Sequence, residues 1–138
     1  MPVQVRADTF EAEVLRARLP VLVDVFGERC APCRLLRPTL LEIEEEYAGQ
    51  LKICMLNTGR ESGENEKEYE DKFRIILTYG VRGVPTMLLF TGGELRRALV
   101  GLHAKEELLG ILREEGLALT PRKVDEKDPG GGQEGGSD

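Results

Sequence analysis

Short apolar runs alternate with longer amphipathic stretches along most of the chain. Three runs are apolar, β-branched and of strand length; a short edge strand precedes them, and a last strand follows a Gly92-Gly93 hairpin turn. The predicted strands are 3–5, 21–26, 51–56, 86–91 and 94–100. The sequence therefore predicts a sheet whose last two strands are antiparallel neighbours.

The stretches between the strands repeat apolar residues at helical spacing. A capping box of Asp8 and Glu11 predicts a first helix that turns Phe10 and Val14 inward and ends before Pro20. Three further helices are predicted, from the end of strand 21–26 to about residue 48, over about 64–79 and over about 105–115. Their inward residues are, in the second helix, Leu36, Leu40, Ile43 and Tyr47 and, in the third, Tyr69, Phe73, Ile76 and Leu77.

The order of these elements is βαβαβαββα. Helices that connect strands indicate parallel pairing with helices on both faces, and the hairpin adds antiparallel strands. The sequence thus predicts an α/β fold with a central, mixed, five-stranded sheet over residues 1–118. Residues 119–138 are rich in Gly and charge and nearly devoid of apolar side chains, which predicts a disordered tail.

The charge balance narrows the functional classes. The 138 residues carry 19 Lys and Arg against 25 Asp and Glu, a net charge of −6. Nucleic acid and anionic membrane are therefore not expected as partners, and no apolar stretch reaches the length of a membrane span. The N-terminus lacks a basic start followed by a hydrophobic segment, so we expect a cytoplasmic protein, and we expect it to be a monomer.

Candidate chemistry lies in the segment Cys30-Ala31-Pro32-Cys33, where the strand 21–26 gives way to a helix. The beginning of a helix points unpaired N–H groups and the positive end of its dipole at Cys30. Both favour the thiolate, which is the nucleophile in disulfide exchange. The placement therefore predicts a redox-active dithiol.

Two other interpretations of the cysteine pair are a structural disulfide and half of a zinc site. A zinc site needs about four ligands, and only Cys54 and His103 remain as further Cys or His. Cys54 lies in the middle of a predicted strand and is predicted to be a small buried apolar residue, whereas His103 is predicted to be a loop residue on the surface.

A carboxylate interrupts the central strand. Asp24 lies between Val23 and Val25, where ionisation is costly, so its pKa should be raised. A carboxyl group with a raised pKa can take up and release protons near neutrality. The sequence therefore offers a candidate proton carrier on the strand that leads to the cysteine pair.

Several segments together resemble the thioredoxin family over roughly residues 8 to 115. They are 20–24 (PVLVD), 30–33 (CAPC), 79–86 (YGVRGVPT), 90–94 (FTGGE) and 100–101 (VG). The resemblance implies a thioredoxin fold and a thiol–disulfide oxidoreductase that reduces protein disulfides. It also implies re-reduction by a separate reductase and no bound cofactor or metal. The alternatives are a binding or chaperone module on the same fold, or a disulfide oxidase or isomerase.

The family also implies roles for individual residues. Cys30 corresponds to the attacking thiol, Cys33 to the resolving thiol and Asp24 to the buried acid that moves protons for Cys33. Pro85 corresponds to a cis proline, and the backbone of Val84 to the strip that pairs with substrate. The other positions expected to contact substrate are Arg29, Ala31, Pro32, Gly83 and Gly101.

The chain departs from the family pattern at four places. Arg29 stands where a tryptophan is usual, and we expect its charge to lower the pKa of Cys30 and to favour anionic partners. Met55 replaces a usual lysine, so we expect that no nearby cation offsets the desolvation of Asp24. Ala31 replaces a glycine. The segment 57–79 is longer than usual, and its charges, over 60–74, read as a solvated helix face.

Overall fold

A mixed five-stranded sheet forms the centre of the structure, a computed structural model that describes residues 1–122. The strands are β1 (Val3–Gln4), β2 (Val21–Phe26), β3 (Lys52–Asn57), β4 (Thr86–Thr91) and β5 (Glu94–Val100). Their order across the sheet is β1-β3-β2-β4-β5. Strands β1, β3 and β2 are parallel, whereas β4 and β5 are antiparallel to their neighbours, so the predicted fold class is confirmed.

Three α-helices and one short π-helical segment cover the sheet. They are the π-helical segment (Glu11–Leu15), α1 (Ala31–Glu46), α2 (Glu66–Thr78) and α3 (Lys105–Glu114). The predicted capping box at Asp8 is wrong, because no side chain caps the first helical segment. Instead, the Thr9 hydroxyl accepts a hydrogen bond from the backbone N–H of Arg6 at 2.9 Å, and the chain turns there before the helix begins.

The sheet separates two apolar cores. Leu22 and Phe26 of β2 pack with α1 and α3, whereas Val21, Val23 and Val25 pack on the other face with residues from the N-terminal segment and α2. Side chains alternate along a strand, so Asp24 points to the same face as Leu22 and Phe26, towards α1. The predicted inward residues of α1 are all buried: Leu36, Leu40, Ile43 and Tyr47.

Helix α2 buries a different stripe from the predicted one. Phe73 and Leu77 are 50% and 58% exposed, whereas Lys72 and Ile76 are buried and Tyr69 is half-buried. The prediction was wrong because it assigned Lys72 to solvent by residue type. Positions 69, 72 and 76 share one helical face, and a lysine occupies its centre.

A buried ion pair holds the segment that precedes α2. The Lys72 ammonium lies 3.0 Å from the Glu64 carboxylate and donates to the carbonyl of Gly59 at 2.7 Å. The backbone N–H of Glu61 donates to the same carboxylate at 2.8 Å. The expectation that the charges of 60–74 form only a solvated face is therefore wrong for Lys72 and Glu64, which are both buried.

The folded part of the chain continues past the predicted boundary at residue 118. Leu117 and Leu119 are buried against the core, and the N–H of Thr120 donates to the Gln50 side chain at 2.8 Å. Leu119 lies just beyond the predicted end of the domain at residue 118, in the segment predicted as a tail. The rest of the predicted tail, 123–138, lies outside the described residues. Within 1–122, every helix is too short or too polar to cross a bilayer.

Candidate active site

The cysteine pair forms a disulfide at the beginning of α1. Cys30 and Cys33 are joined, with their Cα atoms 5.2 Å apart. Cys30 is the N-cap residue, with extended backbone, and its Sγ accepts the N–H of Cys33 at 3.1 Å. Pro32 fits in the first turn because N–H groups there have no partner within the helix. The helix begins where the sequence predicted and directs its free N–H groups at the sulfur of Cys30.

The two sulfur positions differ in access. Cys30 retains 9% exposure at the edge of the core, whereas Cys33 retains 2% and faces inward. Arg29, Ala31 and Pro32 are all exposed beside Cys30. A large reactant therefore meets Cys30 first, and Cys33 is reachable mainly from within the protein.

A short backbone strip lies across from the cysteine pair. Pro85 follows a cis peptide bond, and Val84 is exposed, with neither its N–H nor its C=O bonded within residues 1–122. The strip is held on both sides: Thr86 donates to the carbonyl of Gly83 at 2.7 Å, and Gly101 donates to that of Pro85 at 2.8 Å. These contacts leave the free groups of Val84 available to pair with an extended peptide.

Gly27 lies between this strip and the cysteine pair, a position that the sequence analysis missed. A Cβ atom at Gly27 would lie 3.4 Å from Cγ2 of Val84 and 3.8 Å from Cβ of Cys30. On the other side, Thr58 donates to the carbonyl of Phe26 through both its N–H and its hydroxyl, at 2.9 and 3.0 Å. A Cβ atom at 3.4 Å from Val84 and 3.8 Å from Cys30 would make ordinary van der Waals contact, so only side-chain atoms beyond Cβ would crowd these neighbours. The sequence feature that could have indicated this position is a glycine directly after a buried strand.

Exposed apolar side chains are found on the segments that adjoin the strip. Val84 is 37% exposed, Val100 76% and Leu102 49%. Val100 pairs with Thr86 across β4 and β5, and Gly101, which follows it, has a φ of +90°, a conformation that favours glycine. An exposed apolar surface of this kind is typical of contact with another protein.

Asp24 is a buried carboxylate without a hydrogen-bond partner. It has no exposed surface, and neither of its oxygens bonds to any described residue. Burial raises the pKa of Asp24 to about 6, and the positive charge of Arg37 partly offsets that rise. The predicted direction of the shift is confirmed. The expectation that Met55 leaves the carboxylate without a cation is wrong, because α1 supplies Arg37.

Arg37 lies one helical turn beyond Cys33, on the side of α1 that faces β2. Its guanidinium carbon is 5.2 Å from the centre of the Phe26 ring, and its buried Nε atom has no hydrogen-bond partner among residues 1–122. The sequence analysis did not assign Arg37 to the site. The available signal was its spacing of four residues from Cys33, which places both on one helical face.

Cys54 and His103 do not join the cysteine pair. Cys54 pairs with Val23 in the sheet and lies in the core on the opposite face, where burial raises its pKa to about 11. Nδ1 of His103 is 3.0 Å from the carbonyl oxygen of Gly101. No group of three potential metal ligands occurs within 1–122, so the zinc interpretation has no support there.

Comparisons with known proteins agree with this geometry. The family model described as Thioredoxin matches residues 1–114. A thioredoxin from Pseudomonas aeruginosa is 38% identical over 110 residues, covering 80% of this chain and 92% of that protein. One from Rickettsia bellii is 38% identical over 101 residues, covering 73% and 86%. One from Allochromatium vinosum is 36% identical over 110 residues, covering 80% and 92%.

Proposed function

The chain belongs to the thioredoxin family and is a protein thiol–disulfide oxidoreductase, and from this premise we propose a role for each site residue. The Cys30 thiolate attacks one sulfur of a substrate disulfide, so that bond breaks and a mixed disulfide forms as one substrate thiolate leaves. The Cys33 thiolate then attacks the sulfur of Cys30 and releases the second substrate thiolate. Two electrons pass to the substrate, and the Cys30–Cys33 disulfide remains.

The difference in access between the two sulfurs carries this assignment. Cys30 is the more exposed cysteine and caps α1, where the helix dipole favours a negative charge. Cys33 is close to fully buried, so its partner in exchange is the neighbouring Cys30 sulfur. The reverse order would require an intermolecular attack on the less accessible sulfur.

Asp24 is proposed to accept the proton of Cys33. It points to the face of β2 that packs against α1, and its pKa of about 6 leaves it ionised but readily protonated near neutrality. Its bare oxygens favour this role, because no hydrogen bond fixes them in the charged form. A carboxylate held by several donors would resist protonation.

We propose that an extended substrate segment pairs with the backbone of Val84. Gly83, Pro85 and Gly101 shape this strip, and the unpaired groups of Val84 support strand-like pairing. Arg29, Ala31 and Pro32 form the exposed rim on the other side of Cys30 and are proposed to contact the same segment.

Thioredoxins exchange with protein disulfides in general and are re-reduced by a reductase, using their own dithiol rather than a bound cofactor. For this chain we propose a thioredoxin-reductase-like electron donor, a monomeric state and a cytoplasmic location. The acidic net charge of −6 supports the absence of nucleic-acid and membrane partners. A binding or chaperone module, an oxidase and an isomerase are not favoured by the comparisons.

The proposed roles are tested by trapping. Cys33→Ser should accumulate a mixed disulfide between Cys30 and an insulin chain, visible by mass spectrometry and released by dithiothreitol. Cys30→Ser should trap far less and fail to reduce insulin. Cys54→Ser is the matched control and should reduce insulin at the wild-type rate. Equal trapping by the Cys30→Ser and Cys33→Ser variants would contradict the assignment.

A further inference from the structure

We infer that Arg37 is a positioning residue for the proton transfer, since α1 holds its charge against the face of β2 that carries Asp24. The inference rests on the proposed role of Asp24 as proton acceptor for Cys33. Arg37 touches neither substrate nor a reacting sulfur in this proposal, and it acts only through the carboxylate. The observations that carry it are the placement of its guanidinium and the charges around Asp24.

The placement of Arg37 follows from two periodicities. Cys33 and Arg37 are four residues apart on α1, so they lie on one helical face. Asp24 and Phe26 are two residues apart on β2, so they point to one face of the sheet. The Arg37 guanidinium lies over the Phe26 ring, 5.2 Å from its centre. Stacking on this ring therefore holds the charge on the face of β2 that carries Asp24.

The other elements around Asp24 bring no charge to it. In the sheet, Asp24 lies between Met55 of β3 and Met87 of β4. On the same face, α1 contributes Cys33 and α3 contributes leucines to the shared core. Within residues 1–122, Arg37 is the one charged group that shifts the titration of Asp24. A single substitution should therefore isolate its effect.

The arrangement of Arg37 and Asp24 suits a proton carrier. Within residues 1–122, Arg37 and Asp24 form no ion pair within 4.0 Å, and neither the carboxylate oxygens nor Nε of Arg37 has a hydrogen-bond partner. A direct ion pair would hold the carboxylate ionised, whereas no cation at all would leave it neutral over more of the physiological range. A positive charge that acts on Asp24 without a direct ion pair leaves both protonation states accessible near neutrality.

The step that this arrangement serves balances in protons and electrons. The thiol of Cys33 transfers its proton to the Asp24 carboxylate, and the resulting thiolate attacks the Cys30 sulfur of the mixed disulfide. The bond between Cys30 and substrate breaks, the Cys30–Cys33 bond forms, and the substrate leaves as a thiolate. The proton then passes from Asp24 to solvent or to the released thiolate.

Two neutral variants and one charged variant test the inference. Infrared or carbon-13 NMR titration of the Asp24 carboxyl in the oxidised protein should show a midpoint higher by roughly 1 pH unit in Arg37→Met and Arg37→Gln. Arg37→Lys should stay close to wild type. The matched control is Arg34→Met, which removes an exposed charge from the same helix and should leave the midpoint in place. Unchanged midpoints in both neutral variants overturn the inference.

A kinetic readout separates this inference from the proposed function. The pH profile for resolution of a preformed Cys30 mixed disulfide should move to higher pH in the neutral variants, by the same amount as the carboxyl midpoint. If Asp24→Asn slows resolution but Arg37→Met and Arg37→Gln keep the wild-type profile, the positioning role of Arg37 is contradicted and the proposed role of Asp24 stands. If Asp24→Asn also resolves at the wild-type rate, the proposed role of Asp24 fails with it.

Discussion

Two sites of buried charge lie on opposite faces of the sheet and are built in opposite ways. Lys72 and Glu64 pair at 3.0 Å, Lys72 also donates to the carbonyl of Gly59, and the N–H of Glu61 donates to the Glu64 carboxylate. Asp24 is equally buried, but its oxygens have no hydrogen-bond partner within residues 1–122. The first arrangement favours the ionised carboxylate of Glu64, and the second makes the charge of Asp24 costly.

The difference shows in how the two carboxyl groups titrate. Burial alone would raise the pKa of Glu64, but the Glu61 N–H and the Lys72 ammonium bring it below its ordinary value. For Asp24, burial dominates and the pKa rises to about 6. A buried carboxylate with a cation and an N–H donor beside it is therefore held ionised in the segment before α2. One without partners can exchange a proton near neutrality.

The largest expected effect on stability comes from breaking the buried ion pair of Lys72 and Glu64. Lys72→Met leaves Glu64 buried without its cation, and we expect a loss of about 3–5 kcal/mol in the free energy of unfolding. Urea denaturation measures it. The double variant Lys72→Met with Glu64→Gln should lose less, because no unpaired charge remains. A single variant as stable as wild type would contradict the role assigned to this pair.

Replacing Asp24 should raise the free energy of unfolding at neutral pH, whereas Lys72→Met should lower it. The native state of the wild type holds an extra proton on Asp24 between pH 4 and 6, so its stability falls as the pH rises through that window. Relative to Asp24→Asn, the wild type should lose about 2.5 kcal/mol of stability between pH 4 and pH 8. Urea denaturation at both pH values tests this. A pH-independent difference between the two proteins would count against a raised pKa.

A smaller effect is expected at the exposed rim of the cysteine pair. Arg29→Ala should raise the pKa of the Cys30 thiol in the reduced protein, because it removes a positive charge beside the thiolate. The pH dependence of iodoacetamide labelling at Cys30 measures the change. Since Arg29 is exposed, added salt should diminish it. Identical titrations of the variant and the wild type would contradict the proposal that Arg29 lowers the pKa of Cys30.

The smallest effect should come from an exposed lysine on the helix that carries Lys72. Lys67 pairs with Asp71 at 2.8 Å, closer than the buried pair, yet its side chain is 82% exposed. Lys67→Met should leave the urea midpoint unchanged within error, because solvent screens such pairs. It is the matched control for Lys72→Met, since both exchange a lysine for methionine on α2. A loss comparable to that of Lys72→Met would show that burial does not decide the effect.

The sequence predicted the features that depend on local pattern. Strands β2, β4 and β5 have the predicted bounds, because apolar runs and the Gly92-Gly93 turn specify them locally. The helix that begins at the cysteine pair was predicted for the same reason. The stripe of α2 was not, because a buried lysine reads as a polar surface position until its partner at Glu64 is brought near it.

The site, like the fold, was predictable from the sequence only where local pattern decides it. The cysteine pair and the raised pKa of Asp24 follow from residue type and strand position. Arg37 could not be assigned, because its effect depends on how closely α1 packs on β2 and on its stacking against Phe26. The role of Gly27 depends on Val84, which is far away in sequence and comes close only in the folded chain.

The central claim is that the resolving step needs a carboxylate that accepts the proton of Cys33. Stopped-flow measurement of the resolution of a Cys30 mixed disulfide with a fluorescent thiol, from pH 5 to pH 9, tests it most directly. The wild-type rate should rise with a midpoint near the pKa of Asp24, about 6. In Asp24→Asn, the rate should be lower near neutrality and that midpoint should be lost. Superimposable profiles for the two proteins would contradict the account.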